Sequence, residues 1–176
     1  NTDKKYNIIY ADPPWSYNDK MSGHPLSLEH KYKTMPLEWI KSLDVARLAE
    51  KDCILFLWAV SPQLPEAIEV MQAWGFTYKT VAFCWSKVNK NKKPVSNLGR
   101  WTMGNVELCL LGVRGNPNKF RVDKSVKQLV VAERTVHSKK PDEVRERITQ
   151  GFGDLPRIEL FARQHADGWD CWGNEV

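Results

Sequence analysis

No run of apolar residues in this sequence is long enough to cross a bilayer. The longest, such as Cys53–Val60, fall far short of the roughly 20 residues a transmembrane helix needs. The start, "NTDKKYNIIY", has no apolar stretch ahead of a small-residue cleavage site and does not read as a secretory signal, so a cytoplasmic protein with no membrane partner is expected. Cys-x-x-Cys is missing too. Cys53, Cys84, Cys109 and Cys171 lie far apart, the first three within apolar runs, and His24, His30, His137 and His165 show no metal-ligand spacing; buried free thiols and no structural metal are expected. There is no Gly-x-Gly-x-x-Gly loop, so glycines give no sign of a nucleotide site. Finally, Asp and Glu are absent between Met71 and Val106, where Lys79, Lys87, Lys90, Lys92, Lys93 and Arg100 all fall. In a chain of net charge +5 that concentration points to a polyanionic partner.

What is present reads as one domain over residues 1–176. Short apolar runs recur at Tyr6–Ala11, Cys53–Val60, Lys79–Trp85, Val106–Val113, Gln128–Ala132 and Ile158–Ala162. Most are apolar on both faces, as in a sheet covered by helices. Helical patterns separate several of them. One begins near Pro36 and carries Leu37, Ile40, Leu43 and Leu48; a second follows Ser61-Pro62 and stops at Gly75; a third runs from Pro141 to about Gln150, with Asp142 and Glu143 in its first turn. Strands alternating with helices predict an α/β fold, an open, mostly parallel sheet with helices on both faces. Two long connections, Trp15–Met35 and Ser86–Asn105, each follow the carboxyl end of a strand, the edge where open α/β sheets bind ligands.

The first strand ends abruptly in Asp12-Pro13-Pro14-Trp15. Proline lacks an N–H and pushes the residue before it toward an extended conformation, so this tetrapeptide leaves the sheet as a stiff arm. One reading is a proline turn beside a core tryptophan. The other is a site in which the Asp12 carboxylate and the Pro13 and Pro14 carbonyls hold an amino group while Trp15 stacks on its ring. Residues alone leave both open.

An Asp-Pro-Pro-aromatic motif after an apolar strand resembles the signature of methyltransferases that act on the amino groups of adenine or cytosine. Further segments, in order, resemble the MT-A70 family of adenine-N6 methyltransferases: "KYKTM" at 31–35, "LFLWAV" at 55–60, "RWTMGNVELCLLGVRGNP" at 100–117, "HSKKPDEV" at 137–144, and "RIELFARQH" through "GNE" at 157–175. The resemblance covers nearly the whole chain and implies a class I Rossmann-like methyltransferase fold with S-adenosylmethionine as donor. It implies Asp12, Pro13, Pro14 and Trp15 as the catalytic set, and Lys140, Arg163, His165, Asn174 and Glu175, with Asp12 beside them, around the donor. Lys140 matches the family lysine that pairs with the donor carboxylate, and Asn174 a ribose ligand.

Ala166 and Glu175 stand where the eukaryotic catalytic subunits carry Asn and Gln, so those two contacts differ in kind. Relatives usually continue beyond the position of Val176 into a helix that would shield this cleft, so donor affinity is expected to depend on a partner or on residues that follow Val176. On the substrate side the expectation is Tyr32 stacking on the base, with Lys87, Lys90, Lys92, Lys93 and Arg100 on phosphates. The sequence shows no zinc-finger or other extension of the eukaryotic subunits, which favours a compact prokaryotic or phage enzyme acting on DNA rather than RNA, as a homodimer or with a related subunit. The competing readings are RNA methylation, cytosine-N4 methylation, and a catalytically silent nucleic-acid-binding scaffold.

Overall fold

A computed structural model describes residues 3–16, 34–99, 101–135 and 139–176. β1 (Tyr6–Ala11) is followed by α1 (Leu37–Ser42), β2 (Ala49–Ala59), α2 (Leu64–Ala73), β3 (Thr77–Val88) and β4 (Val106–Arg114). β5 (Leu129–Glu133), α3 (Asp142–Phe152), β6 (Arg157–Leu160) and β7 (Asp170–Trp172) complete the chain. The strands form one sheet in the order β5-β3-β4-β2-β1-β6-β7. β4 runs antiparallel to both β2 and β3; every other neighbouring pair is parallel. The expected α/β architecture is therefore present, with one reversed strand inside it.

Alternation along β1 builds a core on each side. Ile9 and Ala11 pack with Ile40 of α1 and with Ala67, Val70 and Met71 of α2. Ile8 and Tyr10 face the other way, onto Val144 and Ile148 of α3 and onto Trp169. Helices thus cover both faces, which is why Ile8–Ala11 of β1 and Cys53–Ala59 of β2 read as apolar runs, although β2 itself begins earlier, through Glu50, Lys51 and Asp52. α2 opens with a proline and Glu66 in its first turn, and α3 with Asp142 and Glu143, where the helix dipole favours acids. α3 passes through Gly151 and stops at Gly153, whose φ of 78° and ψ of −170° suit a residue without Cβ.

Several boundaries differ from the sequence reading. β3 continues three residues past Trp85, which draws Lys87 into the strand. The helix after Pro36 ends at Ser42, and a 3-10 turn at Val45–Arg47 carries the chain to β2. β7 has no apolar run to announce it. Within the long connection expected over Ser86–Asn105, the described residues carry two antiparallel bridges, Val88↔Pro94 and Asn97↔Gly104. Cys53 and Cys109 are buried free thiols, whereas Cys84 and Cys171 are only half-buried. Among the described residues no helix is long and apolar enough to cross a membrane.

Candidate active site

β1 sits centrally, with β2 on one side and β6 on the other, so the chain leaves β1 in one direction and returns on the opposite flank. Such a switch point opens a crevice at the carboxyl ends of the strands. Five segments meet at that edge: Asp12 after β1, Lys87 at the end of β3, Glu107 at the start of the reversed β4, Lys140 between β5 and α3, and Phe161–Arg163 after β6.

Their charges form a chain. The Lys140 ammonium donates to Asp12 Oδ2 at 2.9 Å and lies 3.1 Å from Glu107 Oε2, while Lys87 donates to Glu107 Oε1. Lys140 also lies 5.4 Å from the Trp58 ring centre, a cation–π distance. The Lys140 side chain is only 12% exposed and that of Asp12 21%. Burial pushes the Asp12 carboxyl above its ordinary range, and although Lys140 and Arg163 draw it down, burial prevails. Burial works against the Lys140 ammonium, but its two carboxylate partners outweigh it and raise its pKa. Glu107 is held below its usual value because Lys140 and Lys87 overcome its burial.

The arm after Asp12 is fixed from several directions. Trp15 N–H donates to the Pro13 carbonyl at 2.9 Å, and Met35 N–H to that of Pro14 at 2.9 Å, closing a bridge between Trp15 and Met35. Gln63 Nε2 donates to the Ser16 carbonyl at 2.7 Å. Both proline carbonyls are thus each engaged once, and each keeps one lone pair. Trp15 does not present a face to the crevice. It is 6% exposed, lies in the α1/α2 core, and donates its indole N–H to the Trp58 carbonyl at 3.0 Å. The tetrapeptide is therefore a proline turn anchored by a core tryptophan, as the first reading had it, and it also mounts the Asp12 carboxylate at the sheet edge; the stacking expected of Trp15 does not fit its burial.

On the other flank, Phe161 adopts φ 61° immediately after β6, a conformation costly for a bulky residue and commonest at functional sites. Ala162 N–H donates to the Trp172 carbonyl at 2.9 Å, and a Cβ on Gly173 would lie 2.2 Å from the Ala162 carbonyl oxygen. That close approach sets Asn174 and Glu175 beside Arg163, whose Nε is 3.8 Å from Glu175 Oε1. His165 is exposed on the β6–β7 connection.

The structure thus brings Asp12, Lys140 and Arg163 together, with Glu175 against Arg163. Lys87 is turned inward onto Glu107 instead of standing with Lys90, Lys92 and Lys93, which are exposed. Tyr32 and Arg100 lie outside the described residues. Glu107 escaped the sequence reading, although a lone acid in an apolar strand, directly after the acid-free tract, was a usable signal. A cavity of about 640 Å³ lies elsewhere, lined by Phe56, Phe83, Phe152, Arg121 and Lys124, and none of the edge charges lines it.

The MT-A70 family model matches residues 6–175. The chain belongs to the MT-A70 family. It is 39% identical to the type II methyltransferase M.MunI of a Mycoplasma species, over 98% of this chain and 78% of that protein. It is also 31% identical to an N(6)-adenosine-methyltransferase MT-A70-like protein of Arabidopsis thaliana, over 97% of this chain and 24% of that protein. With the human N(6)-adenosine-methyltransferase catalytic subunit METTL3 it shares 29% identity, over 98% of this chain and 28% of that protein. MT-A70 is a methyltransferase family, and its members normally use S-adenosylmethionine. The seven-stranded mixed sheet with helices on both faces is consistent with the Rossmann-like methyltransferase fold.

Proposed function

We propose that this chain methylates the N6 amine of adenine in nucleic acid, DNA rather than RNA, with S-adenosylmethionine as donor. The observation that carries the reading is the rigidly mounted Asp12 carboxylate, shared with Lys140 at the carboxyl edge of the sheet. Support for DNA comes from the 39% identity to a type II methyltransferase over 78% of its length, against 29–31% to N(6)-adenosine-methyltransferases that the chain spans by about a quarter.

An aromatic amine shares its lone pair with the ring and is a poor nucleophile until acceptors draw it toward a tetrahedral geometry. Among the described residues Asp12 Oδ1 accepts no hydrogen bond, since Lys140 uses Oδ2, and it takes one amine hydrogen. The second lone pair of the Pro13 carbonyl takes the other. Both groups are fixed before the substrate arrives, so they stabilise the positive charge that develops on nitrogen without reorganising. Burial makes the Asp12 carboxylate a better proton acceptor than an exposed one.

The edge also fits the donor's polar ends. Lys140 has three N–H donors and two carboxylate partners, Asp12 and Glu107, which leaves one N–H for the donor carboxylate. Arg163, His165, Asn174 and Glu175 would hold its ribose and base, in a crevice whose wall is set by the approach of Gly173 to Ala162. When bound, S-adenosylmethionine supplies an electrophilic methyl group on a sulfonium sulfur. A second subunit, another copy of this chain or a relative, would add recognition surface; sedimentation of the free and DNA-bound protein tests that.

The function is tested by incubating the protein with labelled S-adenosylmethionine and single-stranded DNA, duplex DNA or RNA, then identifying the labelled nucleoside. Label on N6-methyladenine in DNA is expected, with Asp12→Asn slower by about 100-fold or more while donor binding stays measurable. Label on cytosine, or donor binding without transfer to any substrate, would overturn the proposal.

A further inference from the structure

The same edge carries a second kind of surface. The turn bridged by Asn97 and Gly104 exposes Leu98 (91%), Trp101 (92%) and Met103 to solvent. Its base is held by reciprocal backbone bonds, Asn97 N–H to Gly104 O at 2.8 Å and Gly104 N–H to Asn97 O at 3.0 Å. Arg134 donates to Asn97 Oδ1 at 3.1 Å, and Lys87 N–H to the Asn105 carbonyl at 3.0 Å. A Cβ on Gly99 would lie 2.2 Å from the Thr102 carbonyl oxygen, so the turn is drawn tight just before its tryptophan. A nearly fully exposed indole on a braced tip is costly to display and offers roughly 150–250 Å² for burial against a partner.

The neighbouring turn decides what that partner is. Asn89 Oδ1 accepts from the N–H groups of Asn91 and Lys93, and Lys92 adopts φ 60°, so Lys90, Lys92 and Lys93 crowd one exposed bend. Among the described residues none of the three makes an ion pair. No acid occurs from Met71 to Val106. A partner must therefore offer anions to one turn and a flat apolar face to the next. A nucleic acid has both, whereas a two-fold contact with a second copy of this chain would bring its acid-free tract against the same like-charged tract.

We infer that Trp101, supported by Leu98 and Met103, is a base-stacking wedge. It enters the stack of a nucleic-acid duplex beside the target adenine and holds the gap while that adenine occupies the pocket at Asp12. Trp101 lies six residues before Glu107, within about 20 Å of it even along a fully extended chain. That bound places the wedge within roughly six base steps of Glu107 and the edge carboxylates beside it. Inserted apolar side chains of this kind unstack a step, and an extruded base requires that opening. The inference rests on the proposed nucleic-acid methylation.

The test compares wild type with Trp101→Ala and Trp101→Phe on a matched duplex containing the target adenine and on the same duplex with an abasic site opposite that adenine, where opening is prepaid. Trp101→Ala should lose at least tenfold in kcat/KM on the matched duplex and recover most of it on the abasic-opposed one, while Trp101→Phe stays within a few-fold of wild type. Target extrusion, read by 2-aminopurine fluorescence at the target position, should fall in Trp101→Ala. An active wild type with Trp101→Ala equal to it on the matched duplex, or equally impaired on both duplexes, would overturn the wedge and leave the methylation standing. So would a change in sedimentation that shows the tip joins two copies. A wild type that methylates no nucleic acid sinks the functional proposal instead.

Discussion

Lys140 divides one positive charge between two carboxylates, and that division sets the behaviour of Asp12. Glu107 pulls on the same ammonium and adds its own negative charge, both of which make Asp12 harder to ionise. Because the folded pKa of Asp12 is raised, its ionisation costs stability as pH climbs from the ordinary carboxylate value through the folded one. Glu107 is depressed, so its contribution is present above the ordinary value and is lost as pH falls through its folded value. Glu107→Gln should therefore do two opposite things. Stability at neutral pH falls by about 3 kcal/mol, because Lys87 is left as a mostly buried cation without its acid. Meanwhile the acid limb of kcat, measured at saturating donor, moves to lower pH because Lys140 turns wholly to Asp12. Urea denaturation and a pH–rate profile read the two effects, and a limb that stays or moves upward would show that Asp12 does not feel Glu107. At this scale the sequence displayed the acid but not its partner. The inward turn of Lys87 was legible from period two, since residues 83, 85 and 87 share a face and Phe83 and Trp85 are buried, but only if the strand was taken past Trp85.

At the scale of elements, the long apolar strands and the capped helices declared themselves because composition and periodicity agree there. β1 matched its reading residue for residue, since Ile8–Ala11 is apolar on both faces and both faces are covered. The reversal of β4 was not legible, since a strand buried on both sides carries the same residues in either direction. β7 was hidden for a different reason: three residues, Asp170, Cys171 and Trp172, have no period to detect and are strand only because β6 pairs with them. That short pairing nevertheless shapes the proposed donor crevice. Gly173 follows it at a position where any side chain meets the Ala162 backbone. Gly173→Ala should push the ends of β6 and β7 apart and weaken S-adenosylmethionine binding tenfold or more, about 1.4 kcal/mol, as read by calorimetric titration. A dissociation constant equal to wild type would show that this approach does not shape the donor site.

Across the whole molecule, charge is sorted between inside and outside at one edge of the sheet. Asp12, Lys140, Glu107 and Lys87 neutralise each other within the crevice, while Lys90, Lys92 and Lys93 stand outside it on a bend without acids. The sequence reading pooled Lys87 with the outer lysines because all lie in the same tract; β3, continuing past Trp85 to Val88, separates them. The separation has a thermodynamic signature, because a lysine on a phosphate releases counterions and a lysine already paired inside the protein does not. Converting Lys90, Lys92 and Lys93 together to Gln should flatten the plot of log affinity for DNA against log salt by about 0.7 to 0.9 for each phosphate no longer neutralised, roughly 2 to 3 for the three lysines, with little change in melting temperature. Lys87→Gln should do the reverse, lowering the melting temperature while leaving the slope unchanged. The measurement is fluorescence anisotropy with labelled DNA over a salt series, beside thermal denaturation of each variant. An unchanged slope in the triple variant would remove the bend from the nucleic-acid interface, and a flatter slope in Lys87→Gln would show that its pairing with Glu107 opens when DNA binds.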